Sequence, residues 1–269
     1  MNTEERVRTD PRISRRRKAV EKSRRRRLIG WLIAIVVLAG SAWGAFFSPL
    51  LEVEEIRVLG ANHASREEIR DAAGLPADQN LLLVSTRAVA DNVAQLPWVA
   101  DARVDRKLPD TVRIRVTERQ PAIVLSLDTG RWTLDARSLV LERGAADKDL
   151  AVLSGVILPE PETGERIDND GVTGALRVWR SLPPKLKKEV VALFAPTAER
   201  ISMSLADHTL IRYGAATELR AKKRVLLVLL RRLKNQRRAA AYIDVRVPTS
   251  PAVAPAEPSI PGASPSPSA

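Results

Sequence analysis

Residues 99–118 read VADARVDRKLPDTVRIRVTE, and this stretch decides the fold. From Thr111 onward apolar and polar residues alternate. Val112, Ile114 and Val116 face one side, and Arg113, Arg115 and Thr117 face the other. Successive side chains of a strand point to opposite faces, so this is a strand with one buried face. The run VADARVD before it is also strand-like, and Lys107-Leu108-Pro109-Asp110 between them is turn chemistry. The two runs predict a hairpin, with Arg106 and Glu118 pairing across it.

Working back from the hairpin, Pro97 separates it from a helical pattern in which Val89, Val93 and Leu96 recur at spacings of 4 and 3. Thr86 is the predicted cap of that helix. Trp98 is predicted to pack the helix end against the sheet. Earlier, Ser65 precedes Glu68 by three residues, the spacing of a capping box, and predicts a short helix to about Ala73 that Gly74 and Pro76 end. Residues 53–59 (VEEIRVL) read as a strand with Val53, Ile56 and Val58 apolar, and Gly60-Ala61-Asn62 as a turn. The order is strand, helix, helix, strand, strand.

Beyond Pro121 the pattern changes. Residues 122–127 predict an apolar strand, 131–135 and 138–142 a strand pair, and 150–156 a further strand. Residues 159–170 form a loop rich in Pro, Gly and acids, and 172–181 a helix stopped by Pro183-Pro184. Strands are predicted over 190–194, 201–205 and 209–213. Residues 216–238 give the clearest helix. Leu219, Leu226, Leu230 and Leu233 form its stripe, and Lys222, Lys223, Arg231, Arg232, Arg237 and Arg238 are read as solvated charge. Its uncharged centre, 225–230, is far too short to cross a membrane. Residues 239–247 (AAAYIDVRV) predict a last strand with Tyr242, Asp244 and Arg246 on one face and Ile243, Val245 and Val247 on the other. Such a strand at a sheet edge leaves backbone groups for another chain; the bland reading is that it closes the sheet. Residues 248–269, rich in Pro, Ala and Ser, predict a disordered tail. The fold class is α+β.

The N-terminal region sets the topology. Residues 12–27 hold ten Lys or Arg and one acid, and residues 28–47, from Leu28 to Phe47, hold no charge. About twenty helical residues match a hydrocarbon core of roughly 30 Å. The basic flank stays in the cytoplasm under the positive-inside rule, so the chain reads as a single-pass protein with its later domains outside. A cleaved signal peptide has a shorter apolar region and fewer residues before it, although a small-residue cleavage site can be drawn around Ala39 and Ala42. Ser23-Arg24-Arg25 matches a twin-arginine signal only weakly, within a run of four arginines. Residues 1–27 carry +8 of the net +12, so the high charge belongs to the tail and not to a nucleic-acid-binding fold. No aromatic residue interleaves with its bases, and anionic lipid headgroups are its predicted partner; no nucleic acid is expected.

No catalytic constellation assembles. There is no cysteine, hence no disulfide and no thiolate metal site. His63 and His208 both fall in turns, remote from any ligand cluster. Phosphate-cradling, dinucleotide and nucleophile-elbow motifs are absent. No enzyme activity, cofactor or metal is expected.

The strand-helix-helix-strand-strand order resembles the POTRA module, a protein-docking unit. Leu96-Pro97-Trp98-Val99, Val104, Arg106, Leu108-Pro109, VTERQP (116–121) and YIDVRVP (242–248) resemble the FtsQ/DivIB family of bacterial cell-division proteins. The basic tail, single anchor and immediate POTRA domain are also that family's layout. The resemblance implies a tail (1–27), an anchor (28–47), a POTRA domain (48–119), a β domain (120–247) and the terminal tail (248–269). It implies a non-enzymatic scaffold at the division septum. Its partners would be FtsB- and FtsL-like membrane proteins and, indirectly, the septal peptidoglycan synthase, with Tyr242, Ile243, Asp244, Val245 and Arg246 as the docking strand. The alternative is a POTRA-containing adaptor for membrane assembly or secretion.

Overall fold

The computed structural model describes residues 29–41, 43, 44, 51–76 and 79–255. Residues 29–41 are helical and exposed. Among the described residues no helix is long and apolar enough to cross a membrane. The basic residues 1–27 and several positions of the expected anchor lie outside the described residues.

The first domain follows the predicted order. Strand β1 (Glu55–Leu59) leads into α1 (Arg66–Ala73), α2 (Thr86–Val93), β2 (Val99–Lys107) and β3 (Thr111–Glu118). Its sheet runs β1-β3-β2, with β1 parallel and β2 antiparallel to β3. Ser65 closes a full capping box with Glu68, and Gly74 ends α1 in the left-handed region. α2 is capped by Ser85, one residue before the predicted Thr86; its hydroxyl accepts the Ala88 N–H. Val58, Ile69, Val89, Val93, Trp98 and Ile114 share the core between helices and sheet.

Arg106 and Glu118 do not pair. Glu118 sits opposite Val99 and Arg106 opposite Val112, so the register holds them at different ends of the hairpin. The Arg106 guanidinium instead donates to the Val84 carbonyl through Nε and Nη2, at 3.1 and 2.6 Å. Glu118 closes the β1–α1 loop: Oε1 accepts the N–H groups of Asn62, His63 and Ala64 at 2.7, 2.9 and 3.0 Å. The His63 ring stacks on Trp98 with centroids 4.4 Å apart.

The second domain is one nine-stranded sheet with helices on one face. Its elements are β4 (Pro121–Leu127), β5 (Gly130–Asp135), β6 (Val140–Arg143), β7 (Val152–Ser154), α3 (Asp170–Ser181), α4 (Pro184–Lys187), β8 (Val190–Phe194), β9 (Ser202–Leu205), β10 (Leu210–Arg212), α5 (Leu219–Gln236), β11 (Ala240–Asp244) and β12 (Ala252–Pro255). The strand order is β12-β11-β10-β9-β8-β7-β4-β5-β6. Pairs β7–β8 and β10–β11 are parallel, and α3 and α5 supply the crossovers that parallel neighbours require. Both steps run the same way along the sheet from strands of the same direction. Right-handed connection therefore lands both helices on one face. There Val172, Leu176 and Leu226 share a core with Ile123, Leu153 and Ile243.

Two expectations are corrected here. Lys222, read as solvated charge, is buried; its Nζ donates to the Tyr213 and Ala215 carbonyls at 3.2 and 2.9 Å. A lysine can enter a core when its ammonium finds carbonyl acceptors, and helical periodicity says nothing of those. The first part of the tail predicted to be disordered, residues 248–255, contains β12, antiparallel to β11, while residues 256–269 lie outside the described residues. A four-residue strand on an existing edge borrows its neighbour's hydrogen bonds, so its own sequence needs no apolar pattern.

Candidate docking face

Strand β11 does not form the edge of the sheet. It lies between β10, with Tyr242 opposite Leu210 and Asp244 opposite Arg212, and β12, with Asp244 opposite Ala252 and Tyr242 opposite Ala254. The five residues predicted to dock therefore divide. Ile243 and Val245 are fully buried in the core against the helices. They hold the strand from beneath and touch nothing outside. Tyr242 and Asp244 are half-buried and Arg246 exposed, on the sheet face that carries no helix.

That face is built by register. Phe194, Ser202, Arg212, Asp244 and Ala252 follow one another across strands β8 to β12. Beside them run Ala192, Ser204, Leu210, Tyr242 and Ala254. Small residues keep the face low, while Phe194 and Leu210 leave apolar surface in water. The Arg212 guanidinium lies 4.4 Å from the Tyr242 ring centroid, a cation–π contact. Arg246 Nη2 and Nε reach Asp244 Oδ2 at 2.7 and 2.9 Å. Burial alone would raise the Asp244 pKa, but the Arg246 guanidinium and N–H, with Arg212 nearby, outweigh it and hold the carboxyl below its ordinary value. Arg200, Arg212 and Arg246 border a shallow cleft of about 240 Å³ with Phe194 and Gly214. Gly214 has φ +70°, and a Cβ there would come within 3.0 Å of Arg246 Cγ, so the missing side chain seats the arginine stem.

The sheet's two edges differ. At β6, Val140 donates its N–H to the Glu165 carbonyl and accepts from the Gly164 N–H, at 2.8 and 2.9 Å. Segment 164–166 thus covers that edge, and Leu139 bridges Arg166. At β12, no further strand follows among the described residues. Among the described residues no strand takes the outer backbone groups of β12, which ends at Pro255, a residue without an N–H.

Among the described residues no three His, Cys, Asp or Glu side chains gather as a metal site. His208 sits exposed at the β9–β10 tip with φ 67°. Sequence reasoning missed β12, Arg200 and Arg212; a short uncharged segment after a strand-ending Pro248 was the only available signal for the first.

A three-stranded, two-helix unit is followed by a nine-stranded sheet with one edge that no strand covers among the described residues, the α+β class of fold. Residues 51–119 match the POTRA domain, FtsQ-type. Residues 125–246 match Cell division protein FtsQ/DivIB, C-terminal. The chain belongs to the FtsQ/DivIB family of cell-division proteins. It is 31% identical over 203 residues to Cell division protein FtsQ of Mycobacterium tuberculosis (strain ATCC 25618 / H37Rv), covering 74% of this chain and 62% of that protein. The chain thus spans less than two thirds of the mycobacterial relative's length. To the proteins of the same name from Corynebacterium glutamicum and Streptomyces bingchenggensis it is 23% identical over 205 residues and 27% over 244 residues. Those alignments cover 76% and 88% of this chain, and 89% of each relative.

Proposed function

We propose that the protein is a non-enzymatic bitopic scaffold of the division machinery. Leu28 to Phe47 anchor it, the basic residues 1–27 stay in the cytoplasm against anionic lipid, and both folded domains lie outside at the septum. It docks FtsB- and FtsL-like membrane proteins and through them reaches the septal peptidoglycan synthase. The single observation that carries this reading is the β12 edge, which no strand covers among the described residues, beside an arginine-bordered face.

A partner strand adds to β12 through backbone hydrogen bonds, which give direction and register. Tyr242, Asp244 and Arg246 face the partner's side chains, and Ile243 and Val245 keep the strand rigid. Arg200 and Arg212 favour an acidic partner segment, because guanidinium pairs carboxylates in a bidentate fork, whereas Arg246 is already engaged by Asp244. Partners held in the same bilayer gain effective concentration, so a small interface suffices.

The test is co-purification of the full chain with its FtsB-like partner from detergent. Ala252→Glu with Ala254→Glu places two charges on the outer face of the edge strand and leaves the core alone. Loss of the partner with unchanged thermal unfolding supports the assignment. Retained partner, with the fold intact, sinks it. Val245→Glu is the wrong probe, because it drives a carboxylate into the core and tests folding instead.

A further inference from the structure

The first domain exposes four large apolar side chains among its described residues: Leu59, Leu82, Leu83 and Leu108. Three of them gather at one end. The β2–β3 turn that carries Leu108 lies beside the start of β1, since Glu54 N–H donates to the Asp110 carbonyl at 3.0 Å and Glu55 sits opposite Thr111. The 3₁₀ turn Leu81–Leu83 is tied to the same end. Val53 N–H donates to the Gln79 carbonyl, Glu52 bridges Asn80, and the Arg106 guanidinium caps the Val84 carbonyl. Leu81 is buried, whereas Leu82 is 38% exposed, Leu83 62% and Leu108 69%. Leu59 closes β1 at the opposite end, half exposed alone.

This leucine-tipped end is also where the chain arrives from its apolar segment. Only five peptide steps separate Phe47 from Glu52. Fully extended, they reach at most about 18 Å. If residues 28–47 lie in the bilayer, the end bearing Leu82, Leu83 and Leu108 is tethered within that distance of the hydrocarbon.

We propose that this end of the first domain rests on the outer leaflet, with Leu82, Leu83 and Leu108 inserted at the boundary of headgroups and acyl chains. The inference rests on the anchor reading given above. Apolar side chains at such a boundary sit roughly 5–10 Å into the membrane. The contact is apolar and not ionic. Glu52, Glu54 and Asp110 share this end with Lys107, so net charge gives no attraction to anionic lipid, and added salt leaves the contact in place. Functionally, the leucines dock the first domain against the bilayer, so the tether does not swing freely. That presents the rest of the chain to membrane-bound partners at a set height.

The absence of cysteine makes the test direct. Single-cysteine variants Val36→Cys, Leu83→Cys, Leu108→Cys and Leu59→Cys of the full chain are labelled with an environment-sensitive fluorophore and reconstituted into phosphatidylcholine–phosphatidylglycerol vesicles. Quenching by nitroxide-labelled lipid is compared with quenching by iodide. The expected result is that positions 36, 83 and 108 are quenched from the lipid and shielded from iodide, with a ratio several-fold above that at 59. If 36 is in lipid but 83 and 108 behave like 59, the leaflet contact is overturned while the anchor stands. If 36 itself is open to iodide, the anchor reading fails and the contact with it.

Discussion

The two ends of the nine-stranded sheet are built differently. At the β6 end the chain covers the start of the edge strand itself, at Val140. Segment 164–166 takes the edge hydrogen bonds, and Leu141 turns away from the helices to join the first domain's core with Ile114 and Trp98. The Thr133 hydroxyl donates to the Gly144 carbonyl and accepts the Ala146 N–H, which ties the loop after β6 to the sheet. At the β12 end, among the described residues, no segment covers the edge or the helix-free face, and the exposed residues include Phe194, Leu210 and Arg246. Polar and apolar groups that are satisfied internally stabilise the fold; those left unsatisfied are available to a partner. One sheet thus has one end covered by its own chain and, among the described residues, one end that is not.

That division can be broken by substitution. Leu141→Ala at the closed end removes a buried side chain shared between domains and should cost about 2–5 kcal/mol, read as a lower denaturation midpoint in both domains together. A loss confined to the second domain would show that the domains do not share this core. Glu118→Ala should cost about 1–3 kcal/mol by leaving three N–H groups without their carboxylate. Burial opposes the Glu118 charge, but the Asn62, Ala64 and His63 donors outweigh it and lower its pKa. Its contribution is therefore present above the ordinary glutamate value of 4.5 and is lost as pH falls through the lower folded value. Wild-type stability should drop in that acid range, and the Glu118→Ala protein should show a flatter profile there.

At the open end the effects should fall on binding. The double variant Ala252→Glu with Ala254→Glu should weaken partner capture about tenfold, equivalent to about 1.4 kcal/mol, with an unchanged melting curve. Phe194→Ala should change stability only slightly, by less than about 1 kcal/mol, because the ring is half exposed, while measurably weakening capture. A larger stability loss than at Leu141 would reverse the comparison.

Much of this was legible along the chain. The alternation of Val112, Ile114 and Val116, the Ser65–Glu68 box and the left-handed Gly74 are local signals, and local geometry obeyed them. The strand at residues 240–244 was located correctly, but its neighbours were not. A strand pattern shows which residues share a face and leaves open which strand lies alongside. β12 was unreadable because a short segment held by a neighbour's backbone carries no periodicity of its own. Lys222 was misplaced because two carbonyls from a distant loop made its burial tolerable. Arg106 and Glu118 were paired by proximity to one hairpin, and the register separated them.

Taken alone, the sequence determined the element order, the caps, the charge-to-apolar junction at residue 28 and the absence of thiol chemistry. These depend on side-chain type and near-neighbour spacing. Only the tertiary structure decided which edge of the large sheet is covered and that Ile243 and Val245 lie inside while Arg246 lies outside. It alone placed three leucines of the first domain where the chain arrives from its apolar segment. Those outcomes depend on groups brought together from far apart in sequence, whose hydrogen bonds and contacts exist only once the fold has formed.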